Sequence, residues 1–161
     1  MLKLNARQYE QLLKPLNDTR VAKRGQAGRQ LSYLEAWDVK AHLIRIFGFG
    51  GWSAEVLSAD LAFEDKNEKG QWNVGYKVIL QLTVGDYANG GSVMYTEAAV
   101  GSATLPQRGE AHDMAIKTAE SDALKRAAIN LGTQFGLSLY NNGSLRDVVV
   151  QTLDKESNDG A

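Results

Sequence analysis

Four side chains with affinity for phosphate lie close together in the segment DMAIKTAESDALKRAAINLG. They are Lys117, Ser121, Lys125 and Arg126. The periodicity of the segment predicts a long amphipathic helix that ends at Gly132, so Lys117, Ser121 and Lys125 should form a row on one face. The two lysines would then lie about 12 Å apart, a spacing comparable to that of neighbouring phosphates along an extended single strand. Such a row could follow a nucleic-acid backbone.

The same helix also has an ordinary interpretation. Asp113 and Lys117 are four residues apart, as are Asp122 and Arg126, so both pairs could form ion pairs on a solvated face. Taken alone, the helix favours this interpretation. A nucleic-acid site therefore needs support from the rest of the chain.

The densest basic segment of the chain is NDTRVAKRGQAGRQL, residues 17–31. Its four cations are Arg20, Lys23, Arg24 and Arg29. The segment shows no periodicity, so we expect a loop, and the alternative to a binding role is a solvated loop. Gly25 and Gly28 would keep the backbone compliant enough to fold over an anionic ligand.

The residue types leave little room for catalysis. The chain has no cysteine, which excludes disulfides, a thiol nucleophile and the usual zinc frameworks. His42 and His112 are isolated and are expected on helix surfaces. The glycine cluster at 48–51 follows a helix and precedes a strand, the reverse of a dinucleotide-binding loop, and no Walker-type loop is present. We expect no catalytic residue, no metal and no cofactor.

Charge is distributed unevenly along the chain, although the formal net charge is −1. Residues 1–46 carry a net charge of +5, and residues 47–100 carry −4. Residues 101–146 carry +1, and the tail 147–161 carries −3. Phosphate binding needs local positive potential and not a high isoelectric point. The basic N-terminal third could therefore line a groove while the acidic regions face elsewhere.

Length and composition predict one globular domain without a membrane segment. The chain has 161 residues, of which 43% are hydrophobic and 23% charged. It has no run of about 18 apolar residues, and its N-terminus is typical of an amphipathic helix and not of a signal peptide. We expect a cytoplasmic protein without membrane partners. Residues 1–153 should form the domain, and residues 154–161 a disordered acidic tail.

Hydrophobic periodicity predicts helices at both ends of the domain and strands between them. The predicted elements are a helix at 6–16, a helix at 33–47, strands at 52–63, 74–84 and 92–100, a loop at 101–109, the long helix, and a short helix at 144–153. Ser32 and Glu35 have the spacing of a capping box that would open the second helix. The order α-α-β-β-β-α predicts the α+β class: an antiparallel three-stranded sheet flanked by helices.

Several of these segments resemble one family, in the same order. The matching residues are Tyr33-Leu34-Glu35, Phe47-Gly48-Phe49-Gly50-Gly51-Trp52, Val100-Gly101, Leu124-Lys125-Arg126-Ala127 and Gly132. With these residues the chain resembles the N-terminal annealing domain of the Rad52 recombinases, over residues 15–140. No single one of these motifs would be specific by itself.

The resemblance implies an ATP-independent protein that binds single-stranded DNA and anneals complementary strands in homologous recombination and DNA repair. It implies a homo-oligomeric ring of about ten subunits with the strand in an outer basic groove. No counterpart of the family's long C-terminal half is present, which favours a short bacterial or phage member associated with the nucleoid. Further candidate partners are a single-strand-binding protein and an exonuclease.

The resemblance also assigns site residues. Lys125 and Arg126 match the family's basic pair on the long helix, and Arg24 matches a cation on the preceding loop. The full set of expected DNA-binding residues, which includes neighbouring cations and Arg108 from a second, outer site, is Arg20, Lys23, Arg24, Arg29, Arg108, Lys117, Lys125 and Arg126. Ile129 and Pro106 stand where the family often has further cations, so fewer positive charges are expected.

Other interpretations of the residues stay open. A sheet with flanking helices also describes modules that bind duplex RNA by shape, and the chain could bind single strands protectively or have lost DNA binding. A metal-dependent hydrolase would have to draw on scattered carboxylates, namely Asp18, Asp38, Asp60, Glu64 and Asp65. Three aromatic residues lie on apolar periods and are expected in the core rather than as stacking platforms: Tyr33, Trp37 and Trp52.

Overall fold

The computed structural model describes residues 2–86 and 90–153 of the chain. Its helices and strands, in chain order, are α1 (Ala6–Leu12), β1 (Ala22–Gln26), β2 (Arg29–Tyr33), α2 (Ala36–Phe47), β3 (Trp52–Lys66), β4 (Trp72–Asp86), β5 (Gly91–Leu105) and α3 (Arg108–Ala128). Short 3₁₀ helices lie at Asp18–Arg20, Ile129–Leu131, Thr133–Phe135 and Leu137–Tyr140. The predicted α+β class is confirmed: β3, β4 and β5 form an antiparallel sheet in that order.

The chain packs as two compact units. The first comprises the described residues within Met1–Trp52, Gly85–Ser92 and Ala128–Ala161. It contains α1, α2, the β1–β2 pair and the 3₁₀ helices. The second comprises Ser53–Val84 and Val93–Ala127, with most of the three-stranded sheet and most of α3.

Strands β1 and β2 form an antiparallel hairpin where the sequence predicts a loop. The prediction of a loop is wrong because most side chains of this hairpin are exposed, so no apolar alternation marks it. Two residues, Ala27 and Gly28, connect the strands with φ values of 49° and 76°. Positive φ at both central residues is what a tight hairpin turn of type I′ requires.

Helix α2 begins at Ala36, three residues later than predicted. Ser32 and Tyr33 belong to β2, so the predicted capping box does not form; Glu35 is the N-cap and makes no side-chain capping hydrogen bond. The helix ends at Gly48, which has a φ of 83° that other residues rarely adopt. The predicted tight connection from helix to strand across the glycine cluster is confirmed.

Trp37 lies outside the core, contrary to its predicted place. Its side chain is 65% exposed, and its Nε1 donates a 2.8 Å hydrogen bond to Glu35. Helix α2 instead buries the face that carries Val39 and Leu43, one turn apart. Tyr33 and Trp52, the other two aromatic residues, are half-buried.

Strand β4 is the central strand of the three-stranded sheet and contributes most of its buried apolar side chains. The predicted alternation is confirmed, with buried side chains at Val74, Val78, Leu80, Leu82 and Val84. On the neighbouring strands, Glu64 of β3 and Glu97 of β5 contact α3, so these residues mark the face that the helix covers. The opposite face carries a group of exposed apolar side chains on the two outer strands, namely Leu57, Leu61, Phe63, Met94 and Val100.

Strand β5 runs to Leu105, so the predicted loop at 101–109 is wrong. Only Pro106 and Gln107 separate the strand from α3. The strand continues because Gly101 and Ala103 are buried while Ser102 and Thr104 are exposed, which is still a period of two. The sequence prediction ended the strand too early because small residues carry little hydrophobic signal.

Helix α3 packs on β5 through small residues. A stripe of buried alanines at four-residue spacing faces the sheet: Ala111, Ala115, Ala119, Ala123 and Ala127. At Gly101 a Cβ atom would lie 2.7 Å from the carbonyl oxygen of Ala115 and 2.8 Å from the Cα of Ala119. The close approach of helix and strand therefore requires glycine at this position.

The predicted helix at 144–153 is wrong. Residues 144–152 lie outside any helix or strand, and three consecutive β-branched valines at 148–150 explain why a helix is disfavoured there. The predicted disordered tail, 154–161, lies outside the described residues. In the part of the chain that the structure describes, no helix is both long and apolar enough to cross a membrane.

Gly101→Ala should destabilise the protein by about 1–3 kcal/mol, because the added methyl group collides with backbone atoms of α3 that cannot move independently. Chemical denaturation measures the change in unfolding free energy. The matched control is Gly109→Ala, where a Cβ meets nothing within 4 Å and the residue lies in the same helix. Equal stability of the two variants would contradict the packing argument.

Candidate nucleic-acid interface

The β1–β2 hairpin presents three of the predicted DNA-binding cations to solvent. Gln26 pairs with Arg29 and Arg24 with Leu31, so Arg24 and Arg29 share one face of the hairpin, and Lys23 points to the other. The guanidinium carbon of Arg24 lies 5.3 Å from the centre of the Tyr33 ring. This cation–π contact orients the arginine and leaves it charged and exposed.

The hairpin cations form no ion pair with a described carboxylate. Among the side chains of residues 2–85 and 90–153, no carboxylate forms an ion pair with Lys23, Arg24 or Arg29. Positive potential at the hairpin is therefore not neutralised locally. An exposed strand pair of this kind can bind a phosphate backbone without displacing any internal partner.

Arg20 has a different environment, although the sequence analysis predicted that it binds DNA together with these cations. Its Nε and Nη2 atoms donate hydrogen bonds to the two carboxylate oxygens of Asp38, at distances down to 2.8 Å. The side chains of Arg20 and Asp38 are only 12% and 4% exposed. Nη1 of Arg20 also donates to the backbone carbonyl of Gln134 at 2.9 Å. The contacts of Arg20 are those of a residue that stabilises the fold.

Gln134 is the centre of this buried network, and no sequence pattern pointed to it. Its Nε2 donates to the carbonyl oxygens of Lys14 and Pro15, at 2.9 and 2.7 Å. Its Oε1 accepts from Nε2 of His42 at 2.8 Å and from Arg20 at 3.3 Å. A polar residue in a short 3₁₀ helix has no periodicity that would mark it as buried.

His42 is buried and not on the helix surface, so its predicted location is wrong. It packs against Phe135, with ring centroids 5.3 Å apart. Because Nε2 donates to Gln134, Nδ1 must accept the 3.2 Å contact from Arg45, which fixes the neutral tautomer. Burial, followed by the nearby charge of Arg20, lowers the pKa of His42 from 6.5 to about 4.

The cations on α3 are paired with carboxylates. Nζ of Lys117 lies 2.8 Å from Asp113, which is the predicted pairing. Lys125 pairs with Asp122 at 3.2 Å, in place of the predicted Asp122–Arg126 pair. These ion pairs are partly or largely exposed, so each contributes less than about 1 kcal/mol, and a phosphate can exchange for the carboxylate.

Arg126 reaches across to the sheet. Its Nη2 lies 3.6 Å from a carboxylate oxygen of Glu97 on β5, and its side chain is more than half exposed. Arg126 and its neighbour Lys125 occupy the last turn of α3. Arg126, one residue of the predicted basic pair, is thus accessible to a ligand.

Arg108 is the first residue of α3 and not part of a loop. Its Nε and Nη2 donate to the carboxylate of Glu64 at 3.1 and 3.0 Å, and its guanidinium carbon lies 5.0 Å from the centre of the Trp72 ring. His112 hydrogen-bonds to the same carboxylate and is half-buried, so it too departs from the predicted surface position. The sequence analysis did not identify Trp72 as a functional residue, and it assigned Glu64 no role in DNA binding.

The predicted site residues divide between the two units. Arg20, Lys23, Arg24 and Arg29 belong to the first unit. The residues of the second unit are Arg108, Lys117, Lys125 and Arg126. Within the described residues, no group of three or more histidine or acidic side chains is placed to hold a metal ion.

An antiparallel sheet backed by a long helix and a hairpin that exposes three cations are together typical of an α+β protein that binds a polyanion. Comparison with protein-family models identifies the family: residues 5–158 match the Rad52/22 family double-strand break repair protein. The chain belongs to this family, as the resemblance predicted.

Individual relatives agree with this assignment. The chain is 34% identical over 125 residues to the DNA repair and recombination protein rad22 of Schizosaccharomyces pombe, a match that covers 77% of this chain and 26% of that protein. It is 31% identical over 139 residues to the DNA repair and recombination protein RAD52 of Saccharomyces cerevisiae, covering 84% and 28% respectively. The chain therefore spans little more than a quarter of the length of these relatives.

The stability of the protein should depend on the titration of His42. The pKa of His42 is about 4 in the folded state and near 6.5 when unfolded, so the unfolded chain takes up the proton first as pH falls. Stability is therefore fully present above pH 6.5 and decreases towards pH 4, by up to about 3 kcal/mol. Urea denaturation across this pH range measures the loss, with His42→Gln as the comparison. An identical pH dependence in that variant would contradict the assignment.

Proposed function

We propose that this chain binds single-stranded DNA and anneals complementary strands without ATP, in DNA repair and recombination. The observation that carries the proposal is the exposed hairpin, whose cations Lys23, Arg24 and Arg29 have no carboxylate partner among the described residues, in a member of the Rad52/22 family. The names of its relatives, DNA repair and recombination proteins, support the biological role.

Phosphate binding at the hairpin would begin with direct electrostatic contact. Arg24 offers a planar fork of N–H donors that matches two phosphate oxygens, and its contact with Tyr33 already restricts its side chain. Arg29 lies on the same face of the hairpin. Each phosphate that is neutralised releases counterions, so binding should weaken with salt by a log–log slope of about −0.7 per contact.

Cations on α3 would add contacts by exchanging their anions. Lys117, Lys125 and Arg126 would each give up a carboxylate on or near the surface for a DNA phosphate. Such an exchange has a small net cost because both states contain one ion pair in a largely aqueous setting. Since the cations hold the backbone and not the base edges, binding should be insensitive to sequence and should leave the bases available for pairing.

Annealing would require two strands on one assembly, and we include a homo-oligomeric ring of about ten subunits in the proposal. The apolar outer face of the sheet, with Leu57, Leu61 and Phe63 on the edge strand β3, supports self-association. Exposed edges and apolar faces of sheets are natural surfaces for subunit pairing. A single-strand-binding protein and an exonuclease remain predictions from the resemblance.

Mixing two complementary labelled oligonucleotides with the protein tests annealing directly. We expect pairing to accelerate without ATP or magnesium and the acceleration to disappear at high salt, because the phosphate contacts are electrostatic. Fluorescence of the labels follows the reaction. Tight binding of single strands without acceleration would indicate a protective binding module, and preference for duplex RNA would indicate a different class of nucleic-acid protein.

Substitution of single cations tests which of them contact DNA. Arg24→Ala, Lys125→Ala and Arg126→Ala should each weaken single-stranded DNA binding about 3–10-fold and lower the salt slope by about 0.7, because each removes one phosphate contact. Fluorescence anisotropy measures both quantities. Lys40→Ala in α2 and Lys69→Ala in the β3–β4 turn are controls, since both remove an exposed lysine that is not among the proposed contacts. Unchanged affinity in correctly folded site variants would refute the site.

A further inference from the structure

Arg108 differs from the other exposed candidate cations because its carboxylate partner is bound at two points. Its Nε and Nη2 atoms donate to separate oxygens of Glu64, a two-point pairing. A guanidinium presents the same fork of donors to a carboxylate and to a phosphate. Glu64 therefore fills the position on Arg108 that a DNA phosphate would need.

Glu64 is also held from its other side. Nε2 of His112 hydrogen-bonds to the carboxylate, and the Tyr76 hydroxyl lies 2.7 Å from Nδ1 of the same ring. The Glu64 side chain is only 18% exposed, whereas Arg108 is 62% exposed. Hydrogen bonds from Arg108 and His112 lower the pKa of Glu64, so the group stays ionised. The carboxylate thus has a fixed place that does not depend on Arg108 alone.

Trp72 keeps Arg108 in position when its anion changes. The indole ring lies against two cations, with Nζ of Lys66 at 4.6 Å and the guanidinium carbon of Arg108 at 5.0 Å from its centre. A cation–π contact uses the face of the ring and leaves the N–H groups of the guanidinium available to an anion. Arg108 can therefore turn from Glu64 to an incoming anion without leaving the indole.

From these contacts we propose that Glu64 competes with DNA phosphate for Arg108 and so sets the strength of this contact. The inference rests on the proposed single-stranded DNA binding and deepens it by naming a residue that regulates it. Arg108 engages DNA only when a phosphate displaces Glu64, which remains bonded to His112. Glu64 acts through Arg108 and does not itself touch DNA.

Glu64→Gln should tighten single-stranded DNA binding about fivefold, because the neutral amide competes poorly with phosphate for the guanidinium. The salt slope should steepen by up to about 0.7, because competition from Glu64 leaves this phosphate contact only partly formed in the wild-type complex. The probe is a labelled oligothymidylate, measured by anisotropy over a series of salt concentrations. Glu68→Gln is the matched control, since it removes the same charge from the neighbouring turn without a bond to Arg108, and its slope should stay unchanged.

Arg108→Gln separates competition from a general change in charge. In the Arg108→Gln background, Glu64→Gln should bring no further gain, because the contact that Glu64 controls has been removed. A gain that persists in that background, or an effect equal to that of Glu68→Gln, would overturn the inference while the proposed function stands. A folded wild-type protein that fails to bind the oligonucleotide would overturn both.

A second variant at position 64 keeps the inference testable if Glu64→Gln does not fold. Glu64→Asp keeps the charge and shortens the side chain by one methylene, which draws the carboxylate back from Arg108. The affinity of this variant for the oligonucleotide should rise less than that of Glu64→Gln. The rise should disappear when Arg108→Gln is also present. In the wild-type protein, the Nε–H resonance of Arg108 should shift when the oligonucleotide binds. An unshifted resonance in a complex that binds DNA would overturn the exchange of partners.

Discussion

The buried ion pair between Arg20 and Asp38 is the interaction on which the first unit depends. A guanidinium and a carboxylate taken out of water are stable only when their remaining hydrogen-bonding groups are satisfied. Gln134 contributes to this by joining Arg20, His42 and two backbone carbonyls in one network. Because Arg20 lies two residues before β1, the network fixes the base of the basic hairpin to α2. The buried Arg20 thus positions the exposed cations of the hairpin.

Three arginines of this chain show how environment decides the role of one residue type. Arg20 is buried with its carboxylate and stabilises the fold. Arg24 is exposed, rests on an aromatic ring and has no acidic partner among the described residues. Arg108 is exposed but carries a carboxylate that is itself supported. The number of positive charges in a sequence therefore overstates the number available to a polyanion, and a net charge near zero is compatible with a strongly basic local surface.

Sequence patterns predicted the helices and strands in which buried and exposed residues alternate at a regular spacing. The alternation of β4 and the long helix α3 were correct because one face of each is apolar and covered. The hairpin was missed because its side chains are mostly exposed, and the end of β5 because its inward residues are glycine and alanine. The buried His42 network lay beyond sequence reasoning for a different reason. Its members come from distant segments, and only the fold shows that Gln134 lies beside Arg20.

The same limit applies to the candidate site. The sequence identifies the lysines and arginines directly, and its patterns predicted which of them bind DNA. It did not show which carboxylate forms an ion pair with each cation. Asp113 and Lys117 are close in sequence, and their pairing was predicted. Glu64 and Arg108 are 44 residues apart, and their pairing depends on the register of β3 beside β4 and on the point at which α3 begins. A shift of one residue in that strand would turn Glu64 to the opposite face and leave Arg108 without this carboxylate. The availability of a cation to DNA is thus a property of strand register as much as of composition.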